Sequence, residues 1–166
     1  MLHFAPEAIF VKKWQELEHL EYVTSDLYDP KASVCADICQ MPFHDEYFDV
    51  LYCSHVLEHV TDDHAAMREC YRVLKQNGWA VFLVPIGPDP TIEDPTVNDP
   101  KERERRFGQN DHVRLYGPDF VERLEKAGFV VTQFKVEDVI GVNAHRYAIP
   151  ANESPLFFCQ KRMSNR

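Results

Sequence analysis

Glycine is scarce, with six in 166 residues, and none stands where a phosphate-cradling turn would fall. After the first strand-like run, Leu2-His-Phe-Ala, the chain reads Ala5-Pro6-Glu7 where a close-approach turn would read Gly-x-Gly. The glycine signature of a pyrophosphate site is therefore missing. Basic residues are also in the minority. Eighteen Lys and Arg face 27 Asp and Glu, for a formal net charge of −9 and a pI near 5.3. Gripping a phosphate backbone needs a basic surface, so nucleic acid is not an expected partner. No apolar run approaches the roughly 20 residues of a membrane span, and the N-terminus lacks a basic segment followed by an apolar one. A cytoplasmic protein with no membrane partner is expected. The five cysteines, at 35, 39, 53, 70 and 159, lack paired metal-ligand spacing and read as reduced core thiols. Internal repeats and low-complexity segments are absent too.

What is present fits one domain spanning residues 1–166, since this length fills one core and is short for two. Leu2-His-Phe-Ala predicts a first strand. Pro6-Glu7 predicts a helix start, with Phe10, Trp14 and Leu17 on its apolar stripe. Tyr22-Val-Thr-Ser predicts a second strand ending at Asp26, and Ser33-Val-Cys-Ala-Asp37 a third. Phe48 to Ser54 predicts a fourth, apolar enough to be covered on both faces. The connections on either side of the third strand are too short for helical crossovers and read as loops. Thr61 or Asp62 caps the next helix, with Met67, Cys70 and Leu74 buried and Asn77-Gly78 as its stop. Trp79 to Val84 predicts a central fifth strand. Residues 86–117, rich in proline, read as an irregular loop or lid, with Lys101 to Arg106 a solvated helical turn. Phe120, Leu124 and Ala127 then mark a helix ended by Gly128. Phe129 to Val136 predicts a sixth strand, and Pro155 to Cys159 a seventh lying antiparallel beside it.

Two patterns carry chemistry. A strand, a helix and a strand ending in an acid about twenty residues on is the outline of a nucleoside site, in which Asp26 would hold ribose hydroxyls. His55, Glu58 and His59 arrive where the fourth strand ends, and that edge of an open α/β sheet is where ligands bind. His55-Val-Leu-Glu-His59 also matches the His-x-x-Glu-His signature of inverted zinc proteases. That chemistry needs both histidines on one helical face and a third ligand. Here the motif follows a strand directly, so no metal is expected and Glu58 or His59 reads as bonding backbone at a strand-to-helix junction. Phe107 to Tyr116 mixes aromatic and titratable residues, which makes Asp111, His112, Arg114 and Tyr116 candidate substrate contacts.

The order Asp37, Met41-Pro42-Phe43, Phe48-Asp49, His55-Val-Leu-Glu-His59, Arg72-Val-Leu-Lys, Asn77-Gly78 and Ala127-Gly128-Phe129 resembles class I S-adenosylmethionine-dependent methyltransferases, in particular the small-molecule type 11 branch. The resemblance implies an α/β, Rossmann-like three-layer sandwich. Its sheet would be seven-stranded and mostly parallel, with an antiparallel C-terminal strand and shortened crossovers. It also implies S-adenosylmethionine as cofactor, with S-adenosylhomocysteine as product. His3, Phe4, Ala5 and Glu7 would cradle its methionine end, Asp26 and Leu27 would lie at the ribose, Asp37 and Ile38 at the adenine, and Ser54 and His55 at the methionine portion. The reaction implied is methyl transfer to oxygen, nitrogen or sulfur of a small-molecule acceptor. His55 and His112 are the candidate bases, and Glu58 and His59 would form the acceptor-pocket floor. The chain shows no helices ahead of the first strand, so the site is expected to be open, or closed by residues 86–117 or by a second subunit in a homodimer. Two other readings stay open on the residues: a methyltransferase-fold protein that binds a nucleoside or a protein partner without catalysis, and a metal-dependent hydrolase.

Overall fold

Leu2, Phe4, Leu51 and Cys53 are each at most 2% exposed, which places two short segments at the centre of the core. The structure is a computed structural model and describes residues 1–135 and 155–162. In chain order its elements are β1 (Leu2–Phe4), α1 (Ala8–Gln15), β2 (Val23–Asp26), β3 (Val34–Cys35), β4 (Phe48–Ser54), α2 (Asp63–Val73), β5 (Leu74–Leu83), β6 (Ile92–Glu93), α3 (Pro100–Phe107), β7 (Arg114–Leu115), α4 (Phe120–Lys126), β8 (Val130–Phe134) and β9 (Leu156–Gln160). A single 3-10 turn, Leu57–His59, lies between β4 and α2.

Seven strands form one sheet in the order β3-β2-β1-β4-β5-β9-β8. The first five pair in parallel, and β9 runs antiparallel to both of its neighbours. The chain steps from β1 outward to β2 and β3, then returns to the other side of β1 with β4. That reversal places a topological switch point between β1 and β4, where a ligand crevice opens at the carboxyl ends of the strands. Tyr52 of β4 meets Phe10 and Trp14 of α1 at ring separations of 5.7 and 5.2 Å. Leu51 and Cys53, its alternate neighbours, are buried in the main core. Covered on both faces, β4 is the apolar central strand its sequence implies.

Several boundaries differ from the sequence reading. The first helix ends at Gln15, and Leu17 lies beyond it, 40% exposed; the stripe is Phe10 and Trp14 only. The third strand shrinks to two residues, and Asp37 lies two positions past its end. Helix α2 stops at Val73 rather than at Asn77-Gly78. Its last carbonyls already have donors: Glu46 N–H on Arg72, Tyr47 N–H on Val73, and Lys161 Nζ on Tyr71 and Leu74. A glycine stop is therefore not needed. Asn77, at φ 63°, and Gly78 instead shape an irregular start to β5, whose register with β4 shifts between Phe48 and Val50. A Cβ on Gly78 would lie 2.9 Å from the Lys75 carbonyl oxygen. The fifth strand ends at Leu83, leaving Val84 outside it. Strand β8 begins at Val130, and the expected end at Val136 lies outside the described residues.

The stretch 86–117 is more ordered than its composition implies. It holds α3, capped by the Asp99 carboxylate on Glu102 N–H, and the antiparallel pair β6–β7. Part-buried ion pairs tie it down. Arg123 Nη1 lies 3.0 Å from Asp63 Oδ2, and Glu93 pairs with Arg114 at 3.1 Å and Arg123 at 2.9 Å. Among the cysteines, 53, 70 and 159 are buried as expected, but Cys35 is exposed and Cys39 half-buried. Among the described residues, no helix is long and apolar enough to cross a membrane.

Candidate functional site

A cleft of about 770 Å³ opens at the carboxyl ends of β1, β2, β3 and β4, a size typical of small-molecule sites. Phe4 and Ala5 line it from the end of β1, Asp26 and Leu27 from β2, Asp37 and Ile38 from beyond β3, and His55, His59 and Asp111 from the far side. Strand geometry explains the selection. Side chains alternate across a sheet, so Phe4 reaches the cleft edge while His3 is turned among the α1-side aromatics Trp14 and Tyr52.

Asp26 is fixed by its own turn. Its Oδ1 accepts from Tyr28 N–H at 2.7 Å and Asp29 N–H at 2.8 Å, leaving Oδ2 without a partner among the described residues. Asp37 Oδ1 accepts from Cys39 N–H at 2.8 Å in the same manner. Ser25 Oγ, at the cleft wall, is buried and has no hydrogen-bond partner among the described residues. Leu27 and Tyr28 lie 46% and 85% exposed at the mouth. A ligand offering hydroxyls beside Asp26 and Ser25, and a flat apolar group over Leu27 and Tyr28, would satisfy the first pair and cover the second.

Other predicted residues lie elsewhere. His3 is fully buried, and both ring nitrogens are engaged: Nδ1 with Tyr22 Oη and Nε2 with Glu7 Oε2, each at 2.6 Å. Burial lowers the His3 pKa against the pull of Glu7, and burial with Glu7 beyond it raises the Tyr22 hydroxyl to about 12. A neutral imidazole donating to Glu7 and accepting from Tyr22 fits both shifts. His3 and Glu7 thus hold each other and do not line the cleft. Ser54 is buried at 7% exposure and does not line it either.

Arg114 and Tyr116 are supports rather than cleft contacts. Arg114, 3% exposed, donates to the carbonyls of Leu57, Val60 and Thr61. Tyr116 Oη lies 3.2 Å from the Leu57 carbonyl and 2.8 Å from Asp63 Oδ2. Burial first, then Asp63, keeps the tyrosine protonated. Together they cap the turn that carries Glu58 and His59.

Around that turn the structure brings together residues from two segments. His55, at φ 52°, has a 60% exposed side chain whose Nδ1 lies 3.1 Å from Glu58 Oε1. Glu58 is 1% exposed. The His59 and His112 rings lie 4.7 Å apart, edge to face. His59 Nδ1 is 3.4 Å from Asp111 Oδ2, and His112 Nδ1 is 3.0 Å from the Phe107 carbonyl. Val113 N–H on the Glu58 carbonyl, 2.9 Å, fixes the two segments together. Sequence reasoning named these residues but could not join them. It missed Ser25 and Tyr28, whose one legible signal was adjacency to Asp26 and Leu27.

Residues 9–82 match a family described as a methyltransferase domain. An uncharacterized protein of Methanocaldococcus jannaschii is 38% identical over 61 residues, 37% of this chain and 26% of that protein, so the chain spans about a quarter of that curated relative. Among solved structures, the cyclase SpnF superposes with a TM-score of 0.69 at 15% identity, covering 98% of this chain and 75% of that one. The Haemonchus contortus phosphoethanolamine N-methyltransferase 2, solved with phosphomonomethylethanolamine and S-adenosylhomocysteine, superposes at 0.62 and 15% identity, covering 98% and 49%. At such identities the likeness is one of fold. The fold, with its switch-point cleft and antiparallel C-terminal strand, is one this chain shares with solved S-adenosylmethionine-dependent methyltransferases. Through residues 9–82, somewhat under half of the chain, the sequence is similar to that methyltransferase domain family.

Proposed function

We propose that the cleft binds S-adenosylmethionine and that the protein transfers its methyl group to an oxygen, nitrogen or sulfur of a small-molecule acceptor. The observation that carries this is the pairing of Asp26, with one carboxylate oxygen held and the other without a partner among the described residues, with Ser25, whose Oγ likewise has none among them, both lining the cleft at the switch point. Asp26 would accept from ribose hydroxyls. Leu27, Tyr28 and Ile38 would cover the adenine, with Asp37 at its edge, and Phe4, Ala5 and His55 would face the methionine portion. The bound cofactor supplies a sulfonium methyl that an aligned nucleophile can displace.

What the chain's own residues contribute is position and dryness. Holding acceptor and donor in line replaces an encounter by a preset geometry, and walls of Phe4, Val56 and Val60 exclude water. His55 stands at the cleft with Glu58 behind its ring, placed to take a proton from a hydroxyl or amine acceptor.

Calorimetry with S-adenosylhomocysteine tests this reading. The wild-type chain is expected to bind, and Asp26→Ala to weaken binding about 10- to 100-fold, the loss of hydrogen bonds to a charged group. No heat from the wild type at millimolar ligand would sink it.

A further inference from the structure

We infer that Glu58, His59 and His112 form a binding site for a first-row divalent transition cation, zinc by preference, with one coordination position open to the cleft. One ligand atom from each residue lies within 4.8 Å of the others. Glu58 and His112 are 1% and 6% exposed, and Glu58 Oε2 is buried with no hydrogen-bond partner among the described residues. A buried carboxylate oxygen without a donor is costly.

The ring orientations point to the same site. His112 Nδ1 lies 3.0 Å from a carbonyl oxygen, which can only accept, so Nδ1 carries the hydrogen and Nε2 of the neutral ring presents a lone pair. His59 Nδ1 faces the Asp111 carboxylate at 3.4 Å, an arrangement that favours the hydrogen on Nδ1 and the lone pair on Nε2. Each of the three residues therefore offers a ligand atom to one part-buried volume. A cation among them would complete the buried Glu58 oxygen.

The surroundings have the form of a second coordination shell. Ligating histidines almost always donate their other nitrogen to a carboxylate or carbonyl, which fixes tautomer and ring plane. Asp111 and the Phe107 carbonyl stand in those places, and His55 Nδ1 holds the other oxygen of Glu58 at 3.1 Å. Two imidazoles and one carboxylate are a zinc-type donor set, unlike the all-oxygen sets of magnesium and calcium. Metal–ligand bonds of about 2.1 Å require the three atoms to close by roughly an ångström, a side-chain movement. His59 and Asp111 line the cleft, so the open position faces the acceptor side. An acceptor oxygen, nitrogen or sulfur bearing a lone pair could occupy it, a point that rests on the proposed function above.

Sequence spacing argued against a metal because His55 and His59 do not share a helical face. The third ligand, His112, comes from the far end of the 86–117 segment, and His55 is a support.

The test is titration of the chelator-stripped full chain with zinc chloride by calorimetry, and with cobalt chloride by visible absorption. One equivalent per chain is expected, with the visible bands of four-coordinate cobalt and a zinc-dependent rise in Tm. Glu58→Gln, which keeps the side-chain shape, and His112→Ala should abolish the bands and weaken zinc by more than 100-fold, while Asp111→Asn should cost about 10- to 100-fold. Cys35→Ser with Cys39→Ser should leave affinity unchanged. Absence of stoichiometric zinc in a wild type that melts cooperatively, loss of zinc in the double cysteine variant, or undiminished zinc in folded Glu58→Gln would each overturn the inference. S-adenosylhomocysteine titration of the same samples separates this result from the cofactor reading. Zinc binding without nucleoside binding would leave the metal site standing alone, and the reverse would remove only the metal.

Discussion

Ala5 has φ 45°, in the left-handed region where a side chain costs about 1–2 kcal/mol. It donates its N–H to the Ser25 carbonyl at 2.9 Å, so the turn from β1 is held in that conformation despite the missing glycine. Ala5→Gly should relieve the strain, less about 0.4–1 kcal/mol of unfolded-state entropy, and leave stability equal or raised by up to about 1 kcal/mol. Ala5→Val should lower it by more than about 1 kcal/mol, since a β-branched residue tolerates positive φ poorly. Urea midpoints would show both, and an unchanged Ala5→Val would contradict the strain. His3 makes a second prediction at this scale. Burial lowers its pKa in the fold, so below the ordinary pKa of 6.5 the unfolded chain binds more protons and stability falls as pH falls. Tm measured from pH 7 to pH 5 should drop. In His3→Gln, which keeps one polar contact, the slope should be shallower; an equal slope would assign the effect to other groups.

The strand-to-helix element from Ser54 to Asp63 depends on a residue far along the chain. Arg114 ties three of its carbonyls to Asp63 and Glu93. Arg114→Ala should destabilise by about 3–5 kcal/mol, the cost of leaving buried partners of a charge uncompensated. It should also loosen His59 from Asp111 and His112. Guanidinium denaturation with an unchanged m-value would show the loss; an effect under about 1 kcal/mol would mean that the carbonyls find other donors. The same element shows what sequence can and cannot convey. β4 was legible to the residue because an apolar run between Asp49 and Ser54 admits one reading, and Asp62 was legible as a cap, accepting from Ala65 N–H at 2.8 Å. The end of α2 was not, because its carbonyls are satisfied by Lys161, 87 residues beyond Leu74. Nor was the role of Arg114, whose partners are backbone atoms that leave no trace in composition.

Across the whole molecule, the succession of strands and helices was readable from the apolar runs, while the mostly parallel seven-stranded sheet was legible through the family resemblance that those motifs carry. β9 adds a constraint that spans the chain: it fills the gap between β5 and β8, with Trp79 paired to Gln160 and Val130 to the same residue. Asp26 and Asp37, which line the cleft, were legible as strand-end acids, although Asp26 closes β2 and Asp37 lies two positions past β3. His3 and Glu7 were assigned to the cleft through the resemblance; strand alternation turns His3 away from it, and Glu7, at the start of α1, follows His3 through their 2.6 Å contact. Gly117 read only as part of a helix start, yet a Cβ there would fall 2.0 Å from the Asp89 carbonyl oxygen, so the backbone closes on itself where residues 86–117 re-enter the fold. The central claim is that the cleft at the reversal of strand order is a nucleoside site governed by Asp26. A crystal structure of the chain with S-adenosylhomocysteine tests it most directly. The account predicts ribose hydroxyls within hydrogen-bond distance of Asp26 and the adenine between Leu27 and Ile38; ligand density elsewhere, or a ribose turned away from Asp26, would contradict it.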